Sequence, residues 1–248
     1  MTNRVKLRVL EFHMVHHCNL TCAGCSHFSP TSPSWFASPE QFRAQATEAA
    51  ESLDPEFIHL LGGEPLLNPR LAELVAIARE AFAGTEMKVV TNGVLVPRAK
   101  RELFESMARN DIHFAVSVYP NVPTDVPRIT ELCEEYGITL ELWPQDTFLD
   151  FHDPEGKSDP AEARANCPME GCMTVRDGRF YPCSVAAWAD FDGRPFEPGD
   201  GVPLDASADE REAIVDGRHL TSHCRFCRVN PPRFPHHLRT ASELAKTR

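Results

Sequence analysis

Apolar and polar positions along the first 145 residues fall into short alternating bursts, each followed by a helical pattern. Val9-Leu10-Glu11-Phe12-His13-Met14-Val15 reads as a first strand that runs straight into a polar loop. Ser38-Pro39-Glu40 marks a helix start, with Ser as N-cap and Pro at the first helical position, and the helix is expected to reach about Leu53. Phe57-Ile58-His59-Leu60-Leu61 is a second strand, ending at Gly62-Gly63-Glu64-Pro65. Asn68-Pro69 opens a helix with Leu71, Leu74, Val75, Ala78 and Phe82 at helical spacing. Strands are expected at 87–90, 113–119 and 138–143, with helices at about 97–108 and 129–136, the last closed by Gly137. Such alternation predicts an α/β fold with parallel strands and right-handed crossovers. The turns after the first four strands should then meet on one rim, the ligand-binding edge of such sheets.

The pattern changes after about residue 146. Residues 146–166 are rich in Asp, Pro, Glu and Gly and read as a linker or lid, with Asp146, Asp150, Asp153 and Asp159 as a solvated acidic surface. Asp177-Gly178 between two short alternating runs predicts a hairpin. That turn sets Cys172 opposite Cys183, close enough for both thiols to reach one centre. Residues 192–216 read as an irregular excursion with a short helix, and the stretch from Pro231 to Arg248 as a short helix at best, with no role assigned to His236-His237. The expected division is a first domain over 1–150 and a linker plus small second domain over 151–248.

Cysteine changes the picture more than charge does. Eight of the nine cysteines lie in residues 18–25 and 167–227; Cys133 stands apart and fits a buried helix position. The net charge of −11, without a long Lys/Arg run, argues against nucleic acid as a main partner. No apolar run approaches a membrane span or a signal peptide, so a reducing cytoplasm is expected, where clustered thiols are metal ligands rather than disulfides. Cys18, Cys22 and Cys25 form C-x3-C-x2-C. Three such thiols can hold three corners of a cubane and leave one iron without a protein ligand.

The cysteine triad after a first strand, Gly62-Gly63-Glu64-Pro65 after a second, and the β/α alternation together resemble the radical S-adenosylmethionine (radical SAM) enzymes over residues 5 to about 145. The resemblance implies a partial (β/α)6 TIM-like barrel with a small C-terminal β-hairpin-plus-helix extension. It implies a [4Fe–4S] cluster on Cys18, Cys22 and Cys25, whose open iron chelates S-adenosylmethionine. Reduction then yields a 5′-deoxyadenosyl radical that abstracts hydrogen from substrate. Gly62 and Gly63 are expected to let the backbone approach the cofactor's amino group, and Glu64, beside Pro65, to face its ammonium. Asn92 and Ser117 are candidates for its ribose or carboxylate. The family usually has an aromatic residue before the third cysteine. Gly24 stands there, and Phe28 is the expected substitute against the adenine.

The later cysteines resemble the auxiliary-cluster extension called Twitch, a short form of the SPASM domain, over about residues 165–228. Cys167, Cys183, Cys224 and Cys227 match its spacing, and Gly178 precedes Cys183 by five residues. Five thiols are present where a cubane takes four. Motif spacing favours Cys167 as first ligand and hairpin pairing favours Cys172. The remaining thiol is a candidate hydrogen donor to a substrate radical. A Twitch-bearing chain of this length resembles aminocyclitol dehydrogenases and sugar epimerases of antibiotic assembly. That implies a small polar substrate and a flavodoxin- or ferredoxin-type reductant. In dehydrogenation the auxiliary cluster would take an electron; in epimerisation a thiol would return hydrogen, the outcome favoured by the fifth cysteine. The alternatives are a radical SAM peptide maturase and a non-catalytic zinc module, since C-x2-C pairs and His16, His17 or His27 suit zinc too.

Overall fold

β1 (Val5–Val15) is flanked on both sides by strands that run parallel to it. Its Leu10, Phe12 and Met14 are fully buried in the main core, where the Phe12 ring meets Phe42 at 5.5 Å and Phe82 at 6.0 Å. Successive side chains alternate across a strand, so Glu11 and His13 occupy the opposite face. The computed structural model describes residues 4–168, 171–194 and 196–245.

In chain order the elements after β1 are α1 (Pro39–Ser52), β2 (Leu53–Gly62), α2 (Leu71–Ala81), β3 (Glu86–Thr91), α3 (Arg101–Arg109), β4 (Ile112–Val118), α4 (Val126–Tyr136), β5 (Leu140–Pro144) and β6 (Thr147–Leu149). Then come α5 (Pro160–Ala165), β7 (Cys172–Arg176), β8 (Arg179–Tyr181), α6 (Ser184–Ala187), β9 (Val202–Pro203), α7 (Ala208–Val215), β10 (Arg233–Pro235) and α8 (Ala241–Ala245). One eight-stranded sheet has the order β5-β4-β3-β2-β1-β7-β8-β9, and β6 pairs with β10 separately.

Local chemistry accounts for the boundaries. The Ser38 hydroxyl accepts the Gln41 N–H and caps α1. β2 starts four residues earlier than the apolar run suggests, because Leu53 and Pro55 pair with Val5 and Leu7. The helix expected from Asn68 begins at Leu71 instead. Asn68 is a buried clamp whose amide donates to the Met14 and Ala37 carbonyls and whose oxygen accepts the Arg70 N–H. Gly137, at φ 67°, closes α4 as expected. The hairpin also forms as expected, with Asp177 and Gly178 both at positive φ, 50° and 71°.

Two features go beyond the local sequence pattern. β7 adds to the free edge of β1, so the sheet runs on across the division expected near residue 150. Residues 146–166, expected as a linker or lid, carry local order of their own. Asp153 ties a turn through the Glu155 and Lys157 N–H groups, and Asp159 caps α5.

Candidate active site

Four strand ends converge on a cavity of about 230 Å³. Cys18, Cys22 and Cys25 border it, with Gly62 and Gly63 at the end of β2, Thr91 and Asn92 at the end of β3, Ser117 and Tyr119 at the end of β4, and Phe148 of β6. Burial pushes the Cys18 thiol well up, with Glu64 and the other two thiols adding to the rise. Burial, then Cys25, lifts Cys22 to about 12. Such thiols stay protonated until a metal draws the protons off. No three cysteine sulfurs lie within 4.8 Å of one another among the described residues. Three thiols around one cavity make a donor set that suits a cubane with one iron left open.

The glycines have a more specific reason than approach to a ligand. A Cβ on Gly62 would sit 1.9 Å from the Val15 carbonyl oxygen, and one on Gly63 2.0 Å from that of His17. The Gly63 and Glu64 N–H groups donate to those same two carbonyls. The Gly-Gly pair thus presses the end of β2 against the entrance of the cysteine loop and sets where Cys18 stands.

Glu64 and Pro65 do not border the cavity. Glu64 is 0 % exposed and accepts the Thr91 hydroxyl at 2.7 Å, the Asn92 N–H at 2.9 Å and the Leu66 N–H at 3.1 Å. Burial raises its carboxyl to about 7, against those hydrogen bonds. It works from behind the wall, positioning Asn92. The Asn92 side-chain amide donates to Asn19 at 2.7 Å and lies 3.7 Å from the Cys18 sulfur. Ser117 borders the cavity.

Phe28 does not substitute for the missing aromatic. Its backbone turns through φ 52°, and its ring packs inward with Phe151, Tyr181, Val185 and Trp188. Gly24 has its own explanation: a Cβ there would meet the Phe234 ring at 2.8 Å. A ring from β10 therefore occupies the space beside Gly24. The aromatic groups facing the cavity are Tyr119 and Phe148.

The second cysteine set divides. Burial drives the Cys183 thiol well up, and the charges of Cys227, Cys167 and Cys224 add to it. Burial lifts Cys227 to about 12, with Cys224 and Cys167 contributing. Cys172 is raised to about 12 by burial and then by the adjacent Glu11 carboxylate, with Cys167 as a smaller contribution. The expected Cys172–Cys183 pairing fails because the ladder ends at Thr174–Tyr181. Cys183 turns away to cap α6, its sulfur accepting the Ala186 N–H at 3.4 Å, while Cys172 pairs along β1 with Val9.

Glu11 was missed in the sequence, and His27 was weighed there only as a zinc ligand. Glu11 is buried and accepts the Ser184 hydroxyl at 2.6 Å, with His27 Nε2 3.3 Å away. Burial alone would raise its carboxyl, but the His27 and Ser184 hydrogen bonds and the His27 charge hold it below the ordinary value. His27 also borders the cysteine cavity, so the pair joins that cavity to the residue next to Cys183. An acid inside the first strand, on the face opposite Leu10, Phe12 and Met14, was the available signal. His236, given no role above, is buried with Nε2 3.2 Å from the Cys22 sulfur.

A parallel α/β sheet with a three-thiol cavity on its C-terminal rim defines the class, and comparison with known proteins agrees. The Radical SAM superfamily matches residues 13–143, more than half of the chain. The chain belongs to the radical SAM superfamily, whose members use a [4Fe–4S] cluster and S-adenosylmethionine. It is 29 % identical over 116 residues to a PqqA peptide cyclase of Ruegeria pomeroyi, covering 47 % of this chain and 30 % of that protein. It is 38 % identical over 92 residues to a GTP 3′,8-cyclase of Synechococcus sp. (strain CC9902), covering 36 % of this chain and 26 % of that one. The matches thus span less than a third of these curated relatives. Among solved structures it resembles BtrN in complex with AdoMet and 2-DOIA, with TM-score 0.57 and 14 % identity over 91 % of this chain and 94 % of that one. It also resembles anSMEcpe with bound AdoMet, with TM-score 0.56 and 14 % identity over 88 % and 84 %. At such identity these two likenesses concern the fold. No helix among the described residues is long and apolar enough to cross a membrane.

Proposed function

We propose that this enzyme abstracts hydrogen from a small polar metabolite of the sugar, aminocyclitol or nucleoside type, and that Cys172 then returns hydrogen to the opposite face, giving epimerisation. The observation that carries this reading is the placement of Cys172 alongside β1 and against Glu11, whose carboxylate acts on it more strongly than the neighbouring Cys167 thiol does. Cys18, Cys22 and Cys25 would hold the [4Fe–4S] cluster, and the other four cysteines an auxiliary one. When bound, the first cluster and S-adenosylmethionine supply a 5′-deoxyadenosyl radical.

The chain's own residues do the rest. Gly62 and Gly63 fix the cysteine loop, Asn92 and Ser117 offer polar groups to the cofactor, and Tyr119 and Phe148 offer ring faces. Glu11, His59 and Lys88 stand in register across β1, β2 and β3, with His27 hydrogen-bonded to Glu11, a polar set that suits a hydroxyl- or amine-rich substrate. The Cys172 S–H bond breaks as the substrate C–H bond forms. The thiyl left behind regains its hydrogen as one electron and one proton, the electron from a flavodoxin- or ferredoxin-type reductant. A neutral thiol is needed for this, and burial keeps Cys172 neutral at pH 7.

Dehydrogenation is the second reading, favoured by Glu11 as a base hydrogen-bonded to Ser184, the neighbour of Cys183. A peptide substrate is the third, favoured by the PqqA peptide cyclase likeness. Anaerobic reconstitution tests the class: about eight irons per chain and 5′-deoxyadenosine on reduction are expected, and fewer than about four irons would sink it. Turnover in deuterated water separates the outcomes. Solvent deuterium at an inverted carbon supports epimerisation; a ketone without deuterium supports dehydrogenation.

A further inference from the structure

We infer that His236 donates a hydrogen bond from Nε2 to the sulfur of Cys22 and thereby raises the reduction potential of the cluster that Cys18, Cys22 and Cys25 hold. The inference rests on the cluster assignment of the preceding section.

Residues 233–239 form a strap over the cysteine loop. β10 pairs antiparallel with β6, and the chain then crosses the loop itself. Ala23 N–H donates to the His237 carbonyl at 3.0 Å, Arg239 N–H to the Thr21 carbonyl at 2.8 Å, and the Thr21 hydroxyl to the Arg239 carbonyl at 2.9 Å. The Phe234 ring fills the space that a side chain at Gly24 would need. These bonds seat the strap on both sides of Cys22.

His236 is held just as firmly. It is 2 % exposed, its N–H donates to the Asp146 carbonyl at 2.9 Å, and its ring stacks on Tyr119 at 4.4 Å and 19°. Nε2 lies 3.2 Å from the Cys22 sulfur, while Nδ1 is buried with no hydrogen-bond partner. A buried orphan donor costs more than a buried orphan acceptor, so the proton belongs on Nε2 and points at the sulfur. A metal-bound cysteine is a thiolate, which accepts hydrogen bonds strongly. Donation withdraws negative charge from the ligand and favours the reduced cluster, and hydrogen bonds to sulfur are among the determinants of such potentials. His236 is thus a positioning and tuning residue that touches a ligand rather than substrate.

The test is an EPR-monitored redox titration of anaerobically reconstituted wild type, His236→Phe and His236→Gln, following the signal that changes when S-adenosylmethionine is added. Phe keeps a ring for Tyr119 but removes the donor; Gln restores an N–H. His236→Phe is expected to shift the reduction equilibrium about tenfold against the reduced form, about 59 mV for one electron, with iron content unchanged. His236→Gln is expected to recover part of the shift. An unchanged midpoint in His236→Phe at equal iron would overturn the inference. Should His236→Phe fail to hold the cluster, pulsed EPR on wild type labelled with 15N-histidine decides: nitrogen coupling supports the hydrogen bond and its absence overturns it. A wild type with no signal responsive to S-adenosylmethionine would defeat the cluster assignment instead.

Discussion

The Asn92 backbone N–H donates to the Glu64 carboxylate at 2.9 Å, so the Gly-Gly-Glu-Pro turn after β2 is tied directly to the end of β3. The same carboxylate takes the Thr91 hydroxyl and the Leu66 N–H, which leaves it fully engaged. Glu64→Gln replaces one acceptor oxygen by a donor amide and strands at least one of these buried N–H or O–H groups. The expected cost is about 1–3 kcal/mol of stability, read as a lower denaturation midpoint. Because Asn92 reaches Asn19 and Cys18, cofactor affinity should weaken as well, measured by S-adenosylmethionine titration of the reconstituted cluster.

Backbone fit at Gly62 and Gly63 yields a sharper contrast. A methyl group at either position overlaps a carbonyl of the chain entering the cysteine loop, and Gly62 also stands at φ +133°. Gly62→Ala and Gly63→Ala should each cost about 3 kcal/mol or more, from overpacking at both positions and from added backbone strain at Gly62, and should sharply reduce iron incorporation. Gly84→Ala is the control: φ is +85°, but a Cβ there meets nothing within 4 Å. It should cost about 1–2 kcal/mol and leave iron content unchanged.

Where the chemistry was legible, it was written in residue type and local spacing. Cys18, Cys22 and Cys25 lie within eight residues, and Asp177-Gly178 fixes a turn by its own conformational preference. The parallel alternation also followed from periodicity, since 2-residue and 3.6-residue patterns differ over short windows. What stayed hidden depends on contacts across long sequence separations. Glu11 and Ser184 are 173 residues apart, and His236 and Cys22 are 214 apart. The pairing of β7 with β1 is of the same kind, and it removes Cys172 from the place that hairpin register alone assigned to it. Phe28 looked like an aromatic near the right cysteine, but the positive φ that turns it inward is a property of the folded loop.

Histidine burial makes stability pH-dependent. His13 is stacked on Trp188 at 4.1 Å, and burial, with the charges of His27, His16 and Arg176, holds its pKa well below the ordinary 6.5. The unfolded chain then binds a proton that the folded chain does not. This contribution is present above about 6.5 and is lost as pH falls below it. Glu64 has the opposite sign, because its folded value is raised to about 7: its contribution is present below the ordinary 4.5 and lost as pH rises through 7. A difference measurement separates them. The thermal midpoint of the wild type minus that of His13→Phe should fall as pH is lowered from about 7 to 5; a flat difference would exclude His13 as the source.

The division of the second cysteine set makes the last prediction. Cys167 contributes to the rise of Cys183 and Cys227 and also to that of Cys172, but on Cys172, which pairs from β7 with β1, the Glu11 carboxylate comes first after burial. Replacing a ligand thiol should cost the auxiliary cluster, so Cys167→Ser is expected to fall from about eight irons per chain to about four. Cys172→Ser should keep about eight and still form 5′-deoxyadenosine, but it should lose hydrogen return to substrate, because a serine O–H is a far poorer hydrogen-atom donor than a thiol. Iron analysis with 5′-deoxyadenosine quantification checks both variants side by side. The reverse pattern, with Cys172→Ser losing four irons and Cys167→Ser losing none, would make Cys172 the ligand and remove the thiol on which epimerisation depends. Loss of iron in both would mean that the two thiols exchange at one corner, and the case for Glu11 as the base of a dehydrogenation would then be the stronger one.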